Sequence, residues 1–579
     1  MAECFAPTER EFSLRRRRLL AIAALSVVLL GALADLGWIA HGYRQAVLSA
    51  ALVSAPAREV NNTDVHAYGA NFFLAREVEL WKREKTVQMA AAAGIRWAKQ
   101  QFSWEEIEPR KGDFRIPGTV ESSWGKYDQI VDLFRQYGIE VIARLDRPPD
   151  WTRQDNTLKE RPPDNLSNYG NFVYEFVSHF KGRVHYIQIW NEPNIYPEWG
   201  ERPVDPAGYV EMLKIAYLRA KEADPNIIVL SAPLAITLGE PHPEPDKWRS
   251  MNDLQFLEEM YKAGAKDYFD ILSANAFGMD LPPDDLPDAS KLNFQRVILQ
   301  RQIMERYGDK QKAVWFNEYG WNAAPASFAQ EALTWGRVDE EAQAQYTAQG
   351  IEDARKKWPW AGVFCIWYFR QVGQYLPDQA EFYFRMVDLD FTARRVYYAV
   401  KENAAVIAPA SPGFHEETSP AVKAGEDWTR ILATGLSGGS YLVASQAGAS
   451  LTFAFKGPAV SLEVHKASLA GRLIATLDGR NVPGLPTDEQ GRTYLDLYSS
   501  NDFWTEIPVA RSAGSGMHTL QLVVADRSNP ASTGSICGID TFIVRISPAP
   551  SFPYLPAAAS ALVAAASAFG LAWSWKKRR

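Results

Sequence analysis

"VHYIQIWNEP", residues 184–193, is the stretch on which the reading of this chain turns. An apolar run stops at Trp190, and Asn191, Glu192 and Pro193 follow at once. A carboxyl group set at the end of a buried strand is costly unless it is paired or put to use. Seven other short runs share the same character: "VHAYGANFF" (65–73), "IRWAKQQFSW" (95–104), "IEVIARLD" (139–146), "IIVLSAPLA" (227–235), "FDILSANAFG" (269–278), "AVWFNEYGW" (313–321) and "GVFCIWYF" (362–369). One of them, the run at 313–321, also ends in an Asn-Glu pair, Asn317 and Glu318. Amphipathic stretches lie between the runs. In "YDQIVDLFRQYG" (127–138), Ile130, Val131, Phe134 and Tyr137 recur at helical spacing and Gly138 supplies the stop. "AGYVEMLKIAYLRAKEAD" (207–224) follows the same pattern.

Eight strand–helix units in succession predict a (β/α)8 barrel over residues 63–408. An open doubly wound sheet usually carries a glycine-rich phosphate turn after its first strand, and "GANFFLAREVE" is not one. In a barrel, functional side chains gather at the C-terminal ends of the strands. Strands four and seven are not neighbours, so Glu192 and Glu318 are expected to face each other across the mouth. Glycoside hydrolysis needs such a pair: one carboxylic acid protonates the leaving oxygen, and the other attacks the anomeric carbon or activates water.

Three motifs carry a family likeness: "WNEP" at 190–193, "WFNEYGW" at 315–321 and "GIRWAKQQFSWEEIEPRKGDF" at 94–114. Together and in this order they resemble the clan A glycoside hydrolases, families 39 and 5 above all, over roughly residues 65–400. The resemblance implies a retaining (β/α)8 enzyme with Glu192 as acid/base and Glu318 as nucleophile. It implies further that Asn191 holds the sugar 2-hydroxyl and that Trp367, ending strand eight, forms a floor beneath the cleaved sugar. A retaining pair is expected to stand about 5–5.5 Å apart. The chain departs from the pattern in two places. Lys99 stands where many relatives have Arg, which keeps the charge and loses the bidentate fork. Strand six, "SANAFGMD", carries Asn275 and Phe277 where a His and a Tyr are frequent; Tyr319 is a substitute for that tyrosine's hydroxyl.

Other residues near strand ends have two readings each. Trp104, Trp151, Trp199 and Trp321 are sugar platforms or core side chains. Arg144 and Asp146 bind substrate or pair with one another. His66 and His185 read as core or rim residues, and "PPDDLPDAS" (282–290) as a solvated loop, with a calcium site as its other reading.

Residues 409–425 are rich in Pro, Gly and Ser and read as a linker. Short alternating runs with turns between them predict a β-sandwich over 426–548. "GMHTLQLVV" (516–524) and "ICGIDTFIV" (536–544) resemble the jelly-roll, galactose-binding-like modules attached to carbohydrate enzymes, which implies a domain that binds glycan or braces the barrel.

The two ends mirror each other. Arg15–Arg18, within a basic tail over 1–18, precede an apolar stretch at 19–40, and a second stretch at 555–575 runs into Lys576–Arg579. Each is long enough to cross a bilayer, which takes ~20 apolar residues. A cleaved signal peptide is the alternative for the first. With residues 41–62 as a linker, the positive-inside rule puts both termini in the cytoplasm and the body of the chain outside the cell membrane. A net charge of −7 disfavours nucleic acid as a partner. The three cysteines, Cys4, Cys365 and Cys537, form no metal-ligand pattern. The expected whole is a membrane-tethered retaining β-glycosidase that needs no cofactor, its partners an oligo- or polysaccharide and the lipid bilayer. A transglycosylase and a glycan-binding scaffold with a degenerate barrel are the alternatives.

Overall fold

The computed structural model describes residues 9–52, 60–155, 158, 160–240, 249–373, 375–406, 409–433, 435–510, 513, 516–545 and 552–576. Eight parallel strands form the first domain: β1 (Tyr68–Phe72), β2 (Trp97–Ser103), β3 (Glu140–Asp146), β4 (Tyr186–Ile189), β5 (Ile228–Leu230), β6 (Leu272–Phe277), β7 (Val314–Gly320) and β8 (Ala361–Ile366). They pair in the order β5-β4-β3-β2-β1-β8-β7-β6, and a parallel bridge from Leu230 to Ile271 joins the two ends. The sheet is therefore closed, as the run of strand–helix units predicts. Seven of the strands fall inside their expected runs, and β8 begins one residue early, at Ala361. The expected helices at 127–138 and 207–224 become Gly125–Gln136 and Pro206–Ala223. Gly138, at φ +65°, ends the first of these, a conformation that costs other residues strain.

The barrel interior is filled in layers. At its N-terminal end Trp97, Tyr186 and Trp315 meet, with ring centroids 4.9–5.1 Å apart. Above them a buried amide pair spans the bore, the Asn317 Nδ2 donating to Gln188 Oε1 at 2.7 Å. The mouth lies above that. Outside, the helix Glu340–Lys357 packs against β7, where the Tyr319 hydroxyl donates to the Thr347 carbonyl at 2.7 Å. Gly350 permits this approach, because a Cβ there would stand only 2.3 Å from the same hydroxyl.

The second domain is a sandwich of two antiparallel sheets. One contains the strands Val422–Ala424, Ser450–Lys456, Met517–Val524, Arg472–Leu477, Arg480–Asn481 and Tyr494–Asp496. The other contains Thr429–Leu432, Ser440–Ala444, Cys537–Arg545, Ala459–Lys466, Phe503–Ala510 and Gly413–Glu416. The strands Gly413–Glu416 and Val422–Ala424 lie in the segment read as a linker, which corrects that boundary. Both are short, and the Pro and Gly around them hide their alternation. Residues 407 and 408, at the expected end of the barrel, lie outside the described residues.

The sandwich docks on the N-terminal end of the barrel. Arg430 donates to Glu140 at 3.0 Å and lies 2.9 Å from His185 Nδ1, at the feet of β3 and β4. The Glu416 N–H donates to Asp64, just before β1. Burial would raise the Glu140 carboxyl, but Arg430 and His185 overcome it and hold the group at about 2. Cys365 and Cys537 are buried and free, one in each domain; Cys4 lies outside the described residues.

The terminal segments form two helices, Glu9–Leu52 and Tyr554–Lys576. Arg16–Arg44 and Tyr554–Lys576 are long and apolar enough to cross a membrane. They pack antiparallel: Ser560 donates to Asp35, Tyr43 meets Phe552 edge-on at 5.0 Å, and Gly570 faces Leu25. Small residues, Ala32, Ala564 and Ser567, are buried between them, as close helix packing requires. The first helix extends to Leu52, into the expected 41–62 linker, whose residues 53–59 lie outside the described ones, as do 1–8 and 577–579.

Gly350→Ala weighs two opposed effects. Alanine gains about 1 kcal/mol of helix propensity. The methyl group collides with a fully buried tyrosine, and overpacking costs about 1–3 kcal/mol. Net destabilisation is expected, measured as a lower midpoint in denaturant unfolding; an unchanged or higher midpoint would contradict this packing.

Candidate active site

Strict alternation along β7 would leave Asn317 and Glu318 on opposite faces. The register prevents this. Ala274 pairs with Phe316 and the next residue, Asn275, pairs with Glu318, so Asn317 is an extra residue in a β-bulge. Trp315 and Asn317 point into the bore, Glu318 does too, and Tyr319 turns back out to the helix layer. The bulge thus re-aims one carboxyl group into the mouth.

Glu192 arrives by a different route. It lies three residues beyond the end of β4, in a turn where Trp190 has φ +72° and Glu192 itself φ +35°. Non-glycine residues adopt such angles at a cost of roughly 1–3 kcal/mol and need support from their surroundings. Hydrogen bonds supply it. The Trp190 carbonyl accepts from Gln188 Nε2 at 2.7 Å, its indole donates to the Glu198 carbonyl at 2.8 Å, and the Glu192 N–H donates to the Pro233 carbonyl at 3.1 Å.

The two carboxyl groups meet at Asn275. Its Nδ2 donates to Glu192 Oε1 at 2.6 Å and stands 3.4 Å from Glu318 Oε2. Legs of 2.6 and 3.4 Å through one nitrogen cap the separation of those two oxygens at 6.0 Å. The other Glu318 oxygen accepts from Lys99 Nζ at 2.9 Å, and this pair is almost wholly buried, at 2% and 8% exposure. Burial pushes the Glu192 pKa up to about 8, and the charges of Glu318 and Glu198 add to the effect. The site therefore pairs a carboxyl group that holds its proton near neutrality with one braced by an ammonium group.

Both glutamates line a cavity of about 360 Å³, together with Asn191, Lys99, Trp367 and Phe277. The Asn191 Oδ1 is buried and has no hydrogen-bond partner. A second cavity of about 590 Å³ adjoins it and shares Glu192, Ile195, Phe277 and Trp335. Glu192 stands on the partition between them.

Not every expected site residue is there. Tyr319 is fully buried, with its hydroxyl committed to the helix layer, so it does not hold either carboxyl group. Asn275 does that instead. Trp104 donates to Glu108 Oε2 at 2.7 Å and stacks on Phe172 in the core. Trp151 meets Trp104 edge-on and donates to the Glu108 carbonyl at 3.1 Å. Neither lines the cavity, because both pack behind the "IEP" segment and brace it. Trp199 and Trp321 are also core side chains. Arg144 and Asp146 pair at 2.7 Å, and Arg144 lines the cavity. His66 and His185 lie at the barrel's N-terminal end.

The mouth also contains residues that the sequence reading passed over: Arg76, Arg147, Glu198, Trp335, Tyr375 and Glu381. They sit on strand-to-helix loops without periodicity. Only Glu198, six residues after Glu192 on the same short loop, had a positional signal. Among the described residues, the cluster with metal-ligand spacing is Glu416, Glu417 and Asp540, whose ligand oxygens lie within 4.8 Å of one another. It belongs to the sandwich, at the opposite end of the barrel from Glu192, and the 282–290 loop is not part of it.

No family model and no curated protein matches the chain. Solved structures similar to it include a family 39 glycoside hydrolase from the gut symbiont Bacteroides cellulosilyticus WH2, at 18% identity over 80% of this chain and 82% of that one, with a TM-score of 0.44. A monomeric β-xylosidase from Caulobacter crescentus CB15 is similar at 15% identity over 81% and 98%, TM-score 0.41. The family 39 enzyme from Xanthomonas axonopodis pv. citri is similar at 14% over 82% and 96%, TM-score 0.43.

Lys99→Met tests the buried pair. It leaves the Glu318 charge without its partner, and breaking a buried ion pair on one side costs about 3–5 kcal/mol. A fall of that size in unfolding free energy is expected, with partial recovery in Lys99→Met/Glu318→Gln. If the double variant is no more stable than the single one, the pair does not carry this energy.

Proposed function

We propose that this chain is a retaining glycoside hydrolase acting on β-linked oligo- or polysaccharide, with Glu192 as general acid/base and Glu318 as nucleophile. The observation that carries the reading is the Asn275 nitrogen shared by the two carboxyl groups. Its 6.0 Å cap on their nearest oxygens lies under the ~6.5–9.5 Å that an inverting pair needs to admit water.

The chemistry follows from the environments. Glu192 carries a proton at neutral pH and delivers it to the glycosidic oxygen as that bond breaks. Glu318, held by Lys99 and Asn275, attacks the anomeric carbon and forms a glycosyl ester. The ionised Glu192 then takes a proton from water, and that water displaces Glu318. The unpartnered Asn191 Oδ1 is free to accept from a sugar hydroxyl. Trp367 offers an apolar face to the ring. The smaller cavity takes the glycone and the adjoining one the leaving group, since Glu192 stands between them.

The same proposal places the chain in a cell membrane by its two terminal helices. Their antiparallel packing brings Arg16–Arg18 to the same end as Lys576, which supports a cytoplasmic position for both basic ends. The barrel and the sandwich then face an extracytoplasmic glycan.

The test uses the full chain in detergent with a panel of 4-nitrophenyl β-glycosides and with soluble β-glucans and xylans. Glu192→Gln is expected to lose roughly 10²–10⁴-fold in rate, and Glu318→Gln nearly all activity. NMR should show the β-anomer as the first product. An α-anomer formed first would rule out the retaining assignment, and full activity in either variant would remove that residue from the mechanism. Because the folded Glu192 pKa is raised and the protonated form is the active one, kcat/KM should fall as pH rises through about 8.

A further inference from the structure

We propose that Glu198 is a substrate-specificity residue of the barrel mouth, its carboxylate accepting hydrogen bonds from a pair of hydroxyl groups on the glycone. This rests on the glycosidase reading above and names part of what that site recognises.

The loop that carries Glu198 is firmly held. The Trp190 indole donates to the Glu198 carbonyl at 2.8 Å, the Tyr196 N–H to the Arg249 carbonyl at 2.7 Å, and the Gly200 N–H to the Pro197 carbonyl at 2.7 Å. Trp199 is buried against Trp190 and Tyr209. The backbone at 198 is thus tied to the residue that precedes the Asn191–Glu192 pair. The Glu198 side chain lines the cavity that contains Glu318 and is not part of the lining of the adjoining one. It therefore belongs to the glycone side of Glu192.

Within that cavity most of the other charges are paired, Arg76 and Glu381 being the exceptions among the described residues. Lys99 holds Glu318, Arg144 holds Asp146, and Arg147 holds Glu105 and Glu160. The Glu198 carboxyl group makes no hydrogen bond or ion pair with any described residue. A half-buried carboxyl group with idle acceptors is a net cost to the folded chain. Burial pushes its pKa up to about 7, against the pull of Arg144. A ligand that brings donors offsets this cost. A carboxylate has two oxygens with about four acceptor positions, which suits two neighbouring O–H groups of a sugar ring. Hydrogen bonds to a charged acceptor are among the stronger ones, so the contact discriminates between sugars that present the hydroxyls and sugars that lack them.

The full chain is assayed in detergent on the 4-nitrophenyl β-glycoside it cleaves fastest and on the 3-deoxy, 4-deoxy and 6-deoxy analogues of that glycoside. Glu198→Gln and Glu198→Asp are run beside it, with thermal melts to show that they fold. Glu198→Gln is expected to lose on the order of 10- to 100-fold in kcat/KM on the parent glycoside, mainly through KM. On at least one deoxy analogue it should lie within about twofold of the parent enzyme. Glu198→Asp should recover part of the loss. An equal loss on the parent and every analogue would overturn the proposal and leave Glu198 acting through Glu192 or the fold; so would no loss at all. If the unsubstituted chain cleaves no glycoside, the glycosidase reading fails by itself. Calorimetry with free glucose, xylose, mannose and galactose then bears on Glu198 alone: weaker binding in Glu198→Gln supports it, and equal or absent binding in both proteins overturns it.

Discussion

One amide nitrogen, on Asn275, touches carboxyl oxygens from two strands that are not neighbours in the barrel. The contact exists only because three local geometries agree. β6 must present Asn275 inward at the mouth. β7 must spend an extra residue at Asn317 so that Glu318 follows it into the bore. The turn after β4 must hold Trp190 and Glu192 at positive φ. Two of these devices, the bulge and the positive-φ turn, are departures from regular secondary structure. Regular strands alone would have delivered one carboxyl group to the mouth and the other to the helix layer.

The rest of the barrel pays for those departures with buried polar pairs. Gln188 serves two of them, giving a hydrogen bond to the Trp190 carbonyl and taking one from Asn317. A single amide thereby braces the turn that carries Glu192 and the bulge that aims Glu318. Lys99 completes the frame from β2. The sandwich contacts the opposite end, through Arg430, Glu140 and His185. It leaves the mouth open and, in the proposed arrangement, shares the space outside a membrane with it.

The barrel was legible because each strand is a short apolar run, and burial on both faces leaves that mark on a parallel strand. Glu192 and Glu318 were legible because an Asn-Glu pair closes two such runs. Asn275 was visible as a departure from a family pattern, and its bridging position gives that departure a use. Tyr319 was misplaced for a definable reason. Counting residues along β7 without the bulge cannot tell which side of the strand the residue after Glu318 takes. Trp104 and Trp151 were misplaced because a tryptophan at a strand end looks the same whether it stacks on sugar or braces a loop. The linker at 409–425 was misread because edge strands of three or four residues carry too little alternation to stand out among Pro and Gly.

The sequence by itself determined the class of fold, the two terminal apolar helices and the identity of the paired glutamates. Those follow from periodicity, length and composition, which are properties of segments. Only the tertiary structure decided that one Glu192 oxygen and one Glu318 oxygen lie within 6.0 Å, that Lys99 braces one carboxyl group and Asn275 both, and that Glu198 joins them in the same cavity. Those facts depend on register, on a one-residue bulge and on loops folded over the mouth. Each is set by packing between residues far apart in the chain, and no local pattern records it.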